Sequence, residues 1–80
     1  MQVKEAIVLR FKELTKQQCI KYNELATRSG VTPSTVYSMM DTRRKDLSVI
    51  TVKKLCDGLN ISLAEFFDCD TFKALEQEIK

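Results

Sequence analysis

Hydroxyl-bearing side chains recur along a short segment that begins at residue 32. Thr32, Ser34 and Ser38 can each donate and accept hydrogen bonds, and Pro33 adds an apolar ring beside the methyl group of Thr32. On a helix that starts at Pro33, these side chains share one face. Base edges in the major groove of DNA present matching donors, acceptors and thymine methyl groups. We therefore predict that the four residues read bases, less sharply than a bidentate arginine or glutamine would.

Tyr37 belongs to the same segment, and the sequence leaves its role open. Its ring is apolar and its hydroxyl group is polar, which suits the edge of an interface. The side chain either reaches a base or a phosphate, or covers the junction between two helices. We group it with the base-reading residues and keep the second role as the alternative.

Basic and polar residues on both sides of this segment could contact the phosphate backbone of DNA. Arg43, Arg44 and Lys45 follow the segment and are the densest basic cluster in the chain. Phosphate contacts supply affinity and fix the register of a protein on DNA without reading its sequence. The alternative for this cluster is an ordinary solvated loop. The other predicted phosphate-contacting residues are Lys21, Tyr22, Asn23, Arg28 and Thr35.

These side chains need two helices to position them, and residues 22–40 have the corresponding pattern. Gly30 suits the left-handed conformation just past a helix end. Thr32 and Pro33 suit the cap and the first turn of a second helix. This is the spacing of a helix-turn-helix, whose second helix enters the major groove. The residues predicted to form the core of the motif are Leu25, Ala26, Gly30, Val31, Val36 and Met39.

The whole chain is predicted to be helical. Eighty residues support one modest core, and two glycines with one proline leave little material for the turns of a many-stranded fold. We expect an all-α, compact five-helix domain over residues 1–69 and a C-terminal helical tail over residues 70–80. Gly58 is expected to make room for a close neighbour. The predicted helices cover 2–16 and 22–29, begin at Pro33, at Ser48 or Thr51 and at the Ser62–Glu65 capping box, and finish with a segment at 70–79.

Charge is divided unevenly along the chain. Residues 1–54 contain eleven Lys or Arg and five Asp or Glu, whereas residues 55–80 contain two and six. A basic part and an acidic end predict one face for a polyanion and another face kept away from it. The alternative is an ordinary solvated surface with a chance imbalance.

Several classes of protein are disfavoured by the composition. Cys19, Cys56 and Cys69 form no CxxC pair and there is no histidine, so we expect neither a zinc site nor a disulfide framework. No glycine loop suited to phosphates and no recognisable carboxylate pair is present, which argues against an enzyme. No apolar run approaches the ~20 residues of a membrane span, and no signal peptide is evident. We expect a cytoplasmic protein without a cofactor, a metal or a small-molecule ligand.

Five short stretches between Ile20 and Phe67 together form a family pattern. They are Glu-Leu-Ala at 24–26, Gly-Val-Thr at 30–32, Ser-Thr-Val at 34–36, Leu-Cys-Asp-Gly-Leu-Asn-Ile-Ser at 55–62 and Glu-Phe-Phe at 65–67. In these parts the chain resembles the Cro and lambda-repressor-like (xenobiotic-response-element) helix-turn-helix family. The resemblance implies a sequence-specific transcriptional regulator that binds double-stranded DNA through a recognition helix at about 33–40.

Some residues depart from the pattern of that family. Lys21 stands where a serine or threonine cap is usual, and Tyr22 stands where a phosphate-contacting glutamine is common. Pro33 and Ser34 replace the long amide side chains that read adenine in some phage repressors. The operator sequence therefore cannot be carried over from a relative.

Apolar residues near the acidic C-terminus predict a surface that joins two copies of the chain. Members of the family usually bind as dimers to two half-sites about one helical turn apart. We expect a homodimer, with the alternative that the tail folds back on its own domain. The second function class is an antitoxin-like or other protein-interaction module in which DNA binding is secondary. The predicted interface residues are Phe66, Phe67, Phe72, Leu75 and Ile79.

Overall fold

The computed structural model of this protein describes residues 2–44 and 47–75. Within those ranges the chain is helical and contains no strand, so the predicted all-α class is confirmed. The five predicted helices are present, and a sixth helix of one turn follows them. The helices are α1 (Val3–Gln18), α2 (Tyr22–Ser29), α3 (Pro33–Met40), α4 (Val49–Gly58), α5 (Leu63–Phe67) and α6 (Asp70–Lys73).

Local signals set the bounds of α2, α3 and α4. Gly30 ends α2 in the left-handed region with a φ of 71°. The Oγ1 atom of Thr32 accepts a hydrogen bond from the backbone N–H of Thr35 at 3.3 Å, as an N-cap does. The Oγ atom of Ser48 accepts the corresponding bond from the N–H of Thr51 at 3.4 Å. Ser48, rather than Thr51, therefore caps α4.

The short helix α5 is held at both ends. Ser62 and Glu65 form the predicted capping box, in which the Glu65 N–H donates to Ser62 Oγ at 3.0 Å. At the other end, Arg10 of α1 donates from Nε to the carbonyl oxygen of Phe66 at 2.8 Å and from Nη2 to that of Glu65 at 3.0 Å. Arg10 thus adds hydrogen bonds to two carbonyl groups at the end of the helix, of which that of Glu65 also accepts from the Asp68 N–H at 3.3 Å.

The C-terminal tail is less helical than predicted. The helix expected at 70–79 is wrong at residues 74 and 75, because α6 ends at Lys73. Cys69 provides no side-chain cap, and Phe72 packs against the core while Lys73 and Ala74 are exposed. One core contact and no cap give a short helix little support for further turns. Residues 76–80 lie outside the described ranges.

The hydrophobic core lies between α1, α2, α4 and α5, and it also fixes α3. Phe11 and Phe66 are fully buried with their ring centroids 4.5 Å apart, and Leu25 and Leu55 are buried with them. Val36 of α3 is equally buried in this cluster. The position of α3 is therefore set by packing, and its other face points away from the domain.

The helices α2 and α4 approach each other closely at Ser29 and Gly58. A Cβ atom on Gly58 would lie 3.2 Å from Ser29 Cβ and 3.3 Å from the Ser29 nitrogen, and it would overlap the Ser29 hydroxyl. The predicted role of Gly58 is confirmed. Ser29 is the residue that leads into the turn before α3, so this contact helps to place α3.

Candidate nucleic-acid interface

The helix α3 has one buried face and one exposed face. Val36 is fully buried and Met39 is 6% exposed. Pro33, Ser34 and Ser38 are exposed on the remaining surface, and the capping residue Thr32 is exposed as well. The structure therefore places four of the predicted base-reading residues on one solvent-facing surface. Of the predicted motif core, Leu25 and Ala26 are also fully buried, Val31 is partly buried and Gly30 forms the exposed turn.

Hydroxyl groups at the start of α3 form a small network. Thr32 Oγ1 lies 2.8 Å from Thr35 Oγ1 and 3.2 Å from Ser34 Oγ. A hydroxyl group has one donor and two acceptor positions. Thr32 Oγ1 uses all three, because it also accepts from the Thr35 N–H, whereas the hydroxyl groups of Ser34 and Thr35 keep capacity for further hydrogen bonds. The network holds these side chains in a defined arrangement before any ligand binds.

Tyr37 of α3 packs against Tyr22 of α2. Their ring centroids are 5.6 Å apart and the rings meet edge to face at 74°. Tyr37 nevertheless remains 54% exposed. Burial, with a smaller contribution from Tyr37, raises the pKa of Tyr22. The ring of Tyr37 thus covers the junction of the two helices, and its exposed part remains available for a contact with DNA.

The first turn of α2 presents exposed Lys21 and Asn23. Lys21 is the N-cap residue and forms no side-chain capping hydrogen bond. The N–H groups at a helix start that lack intrahelical partners attract anions. Arg28, at the far end of α2, forms an exposed ion pair with Glu24 at 2.7 Å. A phosphate would have to compete with Glu24 for the guanidinium of Arg28.

The loop after α3 contains two arginines in different settings. Asp41 accepts hydrogen bonds from Nε and Nη2 of Arg43 at 3.0 Å each, and from the Arg43 backbone N–H at 3.0 Å. These bonds lower the pKa of the Asp41 carboxyl group to about 2. Arg44 forms no ion pair with another residue that the structure describes, and it lines a cleft of about 160 Å³ with Thr35 and Ser38. Lys45 lies outside the described residues.

Sequence reasoning missed a basic groove beside the motif. It has a volume of about 440 Å³, and its lining includes Lys12 and Lys16 of α1, Lys21, Tyr22 and Tyr37. The spacing of Lys12 and Lys16 was a usable signal, because residues four apart lie on one face of a helix. What the sequence did not show is that this face borders the helix-turn-helix.

A comparison with protein families shows which helical family this chain belongs to. A model of the Cro/C1-type HTH DNA-binding domain matches residues 10–71. The chain belongs to this family. It is also similar to a solved structure, the crystal structure of the prophage Lp1 protein 11, with 33% identity and a TM-score of 0.81 over 94% of this chain and 100% of that one. The comparison with curated proteins returned no match. As a Cro/C1-type domain, the chain is a DNA-binding protein of the regulator kind.

The residues predicted to join two copies of the chain differ in how deeply they are buried. Phe66 is fully buried in the core of its own domain, so the prediction that it lies in a dimer interface is wrong. Its ring is needed against Phe11, and an aromatic side chain gains most free energy when fully buried. Phe72 is partly buried against this core, 5.8 Å from Phe66 between ring centroids. Phe67 remains 38% exposed and Leu75 is partly buried, whereas Ile79 lies outside the described residues.

The remaining features of the described ranges concern metals and membranes. No group of three or more His, Cys, Asp or Glu side chains in residues 2–44 and 47–75 could hold a metal ion. Burial raises the pKa of the Cys56 thiol to about 11, which makes it an inert core group. Among the helices α1 to α6, none has the length and apolar character to cross a membrane.

Proposed function

We propose that this protein is a sequence-specific transcription regulator that docks α3 in the major groove of DNA. The observation that carries the proposal is the division of α3, whose Val36 and Met39 anchor it in the core while Ser34 and Ser38 face outward. A helix held in this way can present short polar side chains to base edges without changing its position in the domain.

The residues proposed to contact phosphates differ in whether they already form an ion pair. Lys21 and Arg44 are exposed and form no ion pair with the described residues, so they meet the backbone directly, and the neutral side chain of Asn23 is exposed beside Lys21. Arg28 and Arg43 exchange a carboxylate for a phosphate, which reduces their net contribution. Affinity would then come mainly from the first group, with base contacts through single hydroxyl groups adding modest discrimination.

We propose that the protein binds DNA as a homodimer, so that two α3 helices meet half-sites about one helical turn apart. The exposed ring of Phe67, which packs edge to face on Phe72 at 4.8 Å between centroids, supports an apolar contact at the end of α5. Sedimentation of the wild type and Phe67→Ser tests this directly. A dimer that the substitution dissociates supports the proposal, and a wild-type monomer at high micromolar concentration overturns it.

A role as a protein-interaction module is the second candidate. Val49 and Ile50 at the start of α4 are 66% and 69% exposed, and two adjacent exposed aliphatic side chains favour contact with another protein. In that case a partner protein, rather than DNA, would be the main ligand. Affinity capture with the wild type and with Val49→Ser/Ile50→Ser distinguishes the two candidates when it is run beside the DNA selection described next.

Selection of bound sequences from random double-stranded DNA at two salt concentrations tests the main proposal. We expect one enriched operator and affinity that falls by about 10³–10⁵ between 50 and 200 mM salt if six to ten phosphates are contacted. Failure to enrich any sequence at either salt concentration would contradict sequence-specific regulation.

A further inference from the structure

The basic groove, defined as the surface lined by Lys12, Lys16, Lys21, Tyr22 and Tyr37, lies between the end of α1 and the helix-turn-helix. Its three lysines are exposed, and none forms an ion pair with another residue in the ranges 2–44 and 47–75. Lys12 and Lys16 lie one turn apart on α1, with Cβ atoms about 5–6 Å apart. Three positive charges therefore lie around one open groove with a volume of about 440 Å³.

The carboxylates nearest in sequence are engaged elsewhere. Glu13 of α1 faces Arg10 at 3.8 Å, and Glu24 of α2 pairs with Arg28 at 2.7 Å. They do not form ion pairs with the groove lysines. Glu5 lines a neighbouring cleft together with Lys12 but forms no ion pair with it. Like charges that no ion pair neutralises repel one another, and the repulsion is relieved when a polyanion binds.

The aromatic wall of the groove connects it to the recognition helix. Tyr37 belongs to α3 and Tyr22 to α2, and their edge-to-face contact makes the groove continuous with the exposed surface of α3. A tyrosine hydroxyl group carries its proton at neutral pH, so that of Tyr22 can donate a hydrogen bond to an anion in the groove.

We propose that the basic groove extends the DNA-binding surface onto α1 and takes the backbone phosphates that flank the bases read by α3. The proposal rests on the proposed function, and it adds Lys12 and Lys16 to the interface. These two residues precede the helix-turn-helix and lie outside every phosphate contact that the motif itself predicts. A free phosphate-bearing molecule has the same chemistry as a backbone phosphate, so the experiment must separate the two sources.

The test compares the wild type with Lys12→Ala/Lys16→Ala on the duplex recovered by selection, using fluorescence anisotropy between 50 and 200 mM salt. Loss of two phosphate contacts should flatten the slope of log K against log [salt] by about 1.8. Over that fourfold range of salt, the ratio of wild-type to variant affinity should change about twelvefold. The base preference of the variant should equal that of the wild type, because phosphate contacts do not read sequence.

The matched control is Lys53→Ala/Lys73→Ala, which removes the same charge outside the groove. Lys53 pairs with Asp57, and Lys73 faces Asp70 at 4.0 Å. The control should keep the wild-type slope. If both double variants flatten the slope equally, net charge alone explains the effect and the proposal is overturned. Circular dichroism of each variant verifies that the helices remain intact.

Three further outcomes separate the proposals. If the wild type binds DNA and Lys12→Ala/Lys16→Ala keeps the full slope, the groove proposal fails while the proposed function stands. If the wild type binds no duplex at any salt concentration, both fail. If sodium tripolyphosphate shifts the amide resonances of residues 12–22 while the double variant retains its affinity for DNA, the groove is a site for a free anion and the proposal is overturned.

Discussion

Asp41, the residue just after the end of α3, holds the side chain of Arg43 through two hydrogen bonds of 3.0 Å. Arg43 is the first basic residue of the cluster that follows α3. A phosphate would have to compete with the carboxylate of Asp41 for its guanidinium. The loop that the sequence marks as the densest basic cluster therefore presents less available charge than a count of its residues suggests.

Asp41→Asn should strengthen binding to all DNA sequences alike. An amide has one acceptor oxygen and no charge, so it releases Arg43 and removes a negative charge near the backbone. We expect a salt slope steeper by about one and an unchanged base preference. Asp57→Asn, which alters another exposed aspartate in an ion pair, is the control. Equal affinities for the wild type and Asp41→Asn would show that Arg43 does not contact DNA.

The ionisation of Asp41 gives a prediction that needs no DNA. Because Arg43 lowers the pKa of Asp41 from 3.8 to about 2, the ion pair stabilises the folded state above the ordinary pKa. That contribution should disappear as the pH falls from about 4 through about 2. Arg43→Ala should return the pKa towards 3.8, as followed by the side-chain carboxyl resonance in an NMR titration. A titration that is the same in both proteins would contradict the contact.

Gly58→Ala should lower the free energy of unfolding. The new methyl group overlaps the Ser29 hydroxyl, and overpacking costs about 1–3 kcal/mol, which exceeds the ~1 kcal/mol that alanine adds as a better helix former. Ser29 Oγ is buried and has no hydrogen-bond partner among the described residues. Ser29→Ala alone should therefore be neutral or stabilising.

The double variant Ser29→Ala/Gly58→Ala provides the control for this contact. Removing the hydroxyl group relieves the severest overlap and leaves the contacts at 3.2 and 3.3 Å, so the double variant should be more stable than Gly58→Ala in urea unfolding. Strictly additive free energies would show that the two residues do not interact, and the close approach of α2 and α4 would then be wrong.

Thr32→Ala should destabilise the protein by about 1 kcal/mol and weaken DNA binding, since Thr32 caps α3 and joins the hydroxyl network. Thr32→Ser keeps the capping oxygen and removes only the methyl group. Urea unfolding should place Thr32→Ser close to the wild type, while selection should show altered preference wherever a thymine methyl group is contacted. If both substitutions cost the same stability, the cap is not the cause.

Features governed by neighbours a few residues away could be predicted from the sequence. The left-handed Gly30, the Thr32 cap and the Ser62–Glu65 box depend on contacts within three or four residues, and each is present. The exposed face of α3 followed from the same local periodicity, because burying Val36 fixes where Ser34 and Ser38 lie.

Features governed by distant contacts could not be predicted. The guanidinium of Arg10 binds carbonyl groups 55 and 56 residues away in the chain, and no local pattern in α1 indicates this contact. The prediction that Phe66 joins two copies of the chain failed because the burial of its ring depends on where Phe11 lies after folding. The groove at Lys12 and Lys16 likewise exists only once α1 packs beside the helix-turn-helix.

Base reading by α3 is tested most directly by repeating the selection from random DNA with Ser38→Ala and with Arg44→Ala. Both residues line the same cleft, so the pair forms a matched comparison. We predict that Ser38→Ala relaxes the preference at one position of the operator and leaves the salt slope unchanged. Arg44→Ala should keep the operator and flatten the slope by about one. An operator unchanged by Ser38→Ala and by the further substitution Ser34→Ala would contradict base reading through the exposed face of α3.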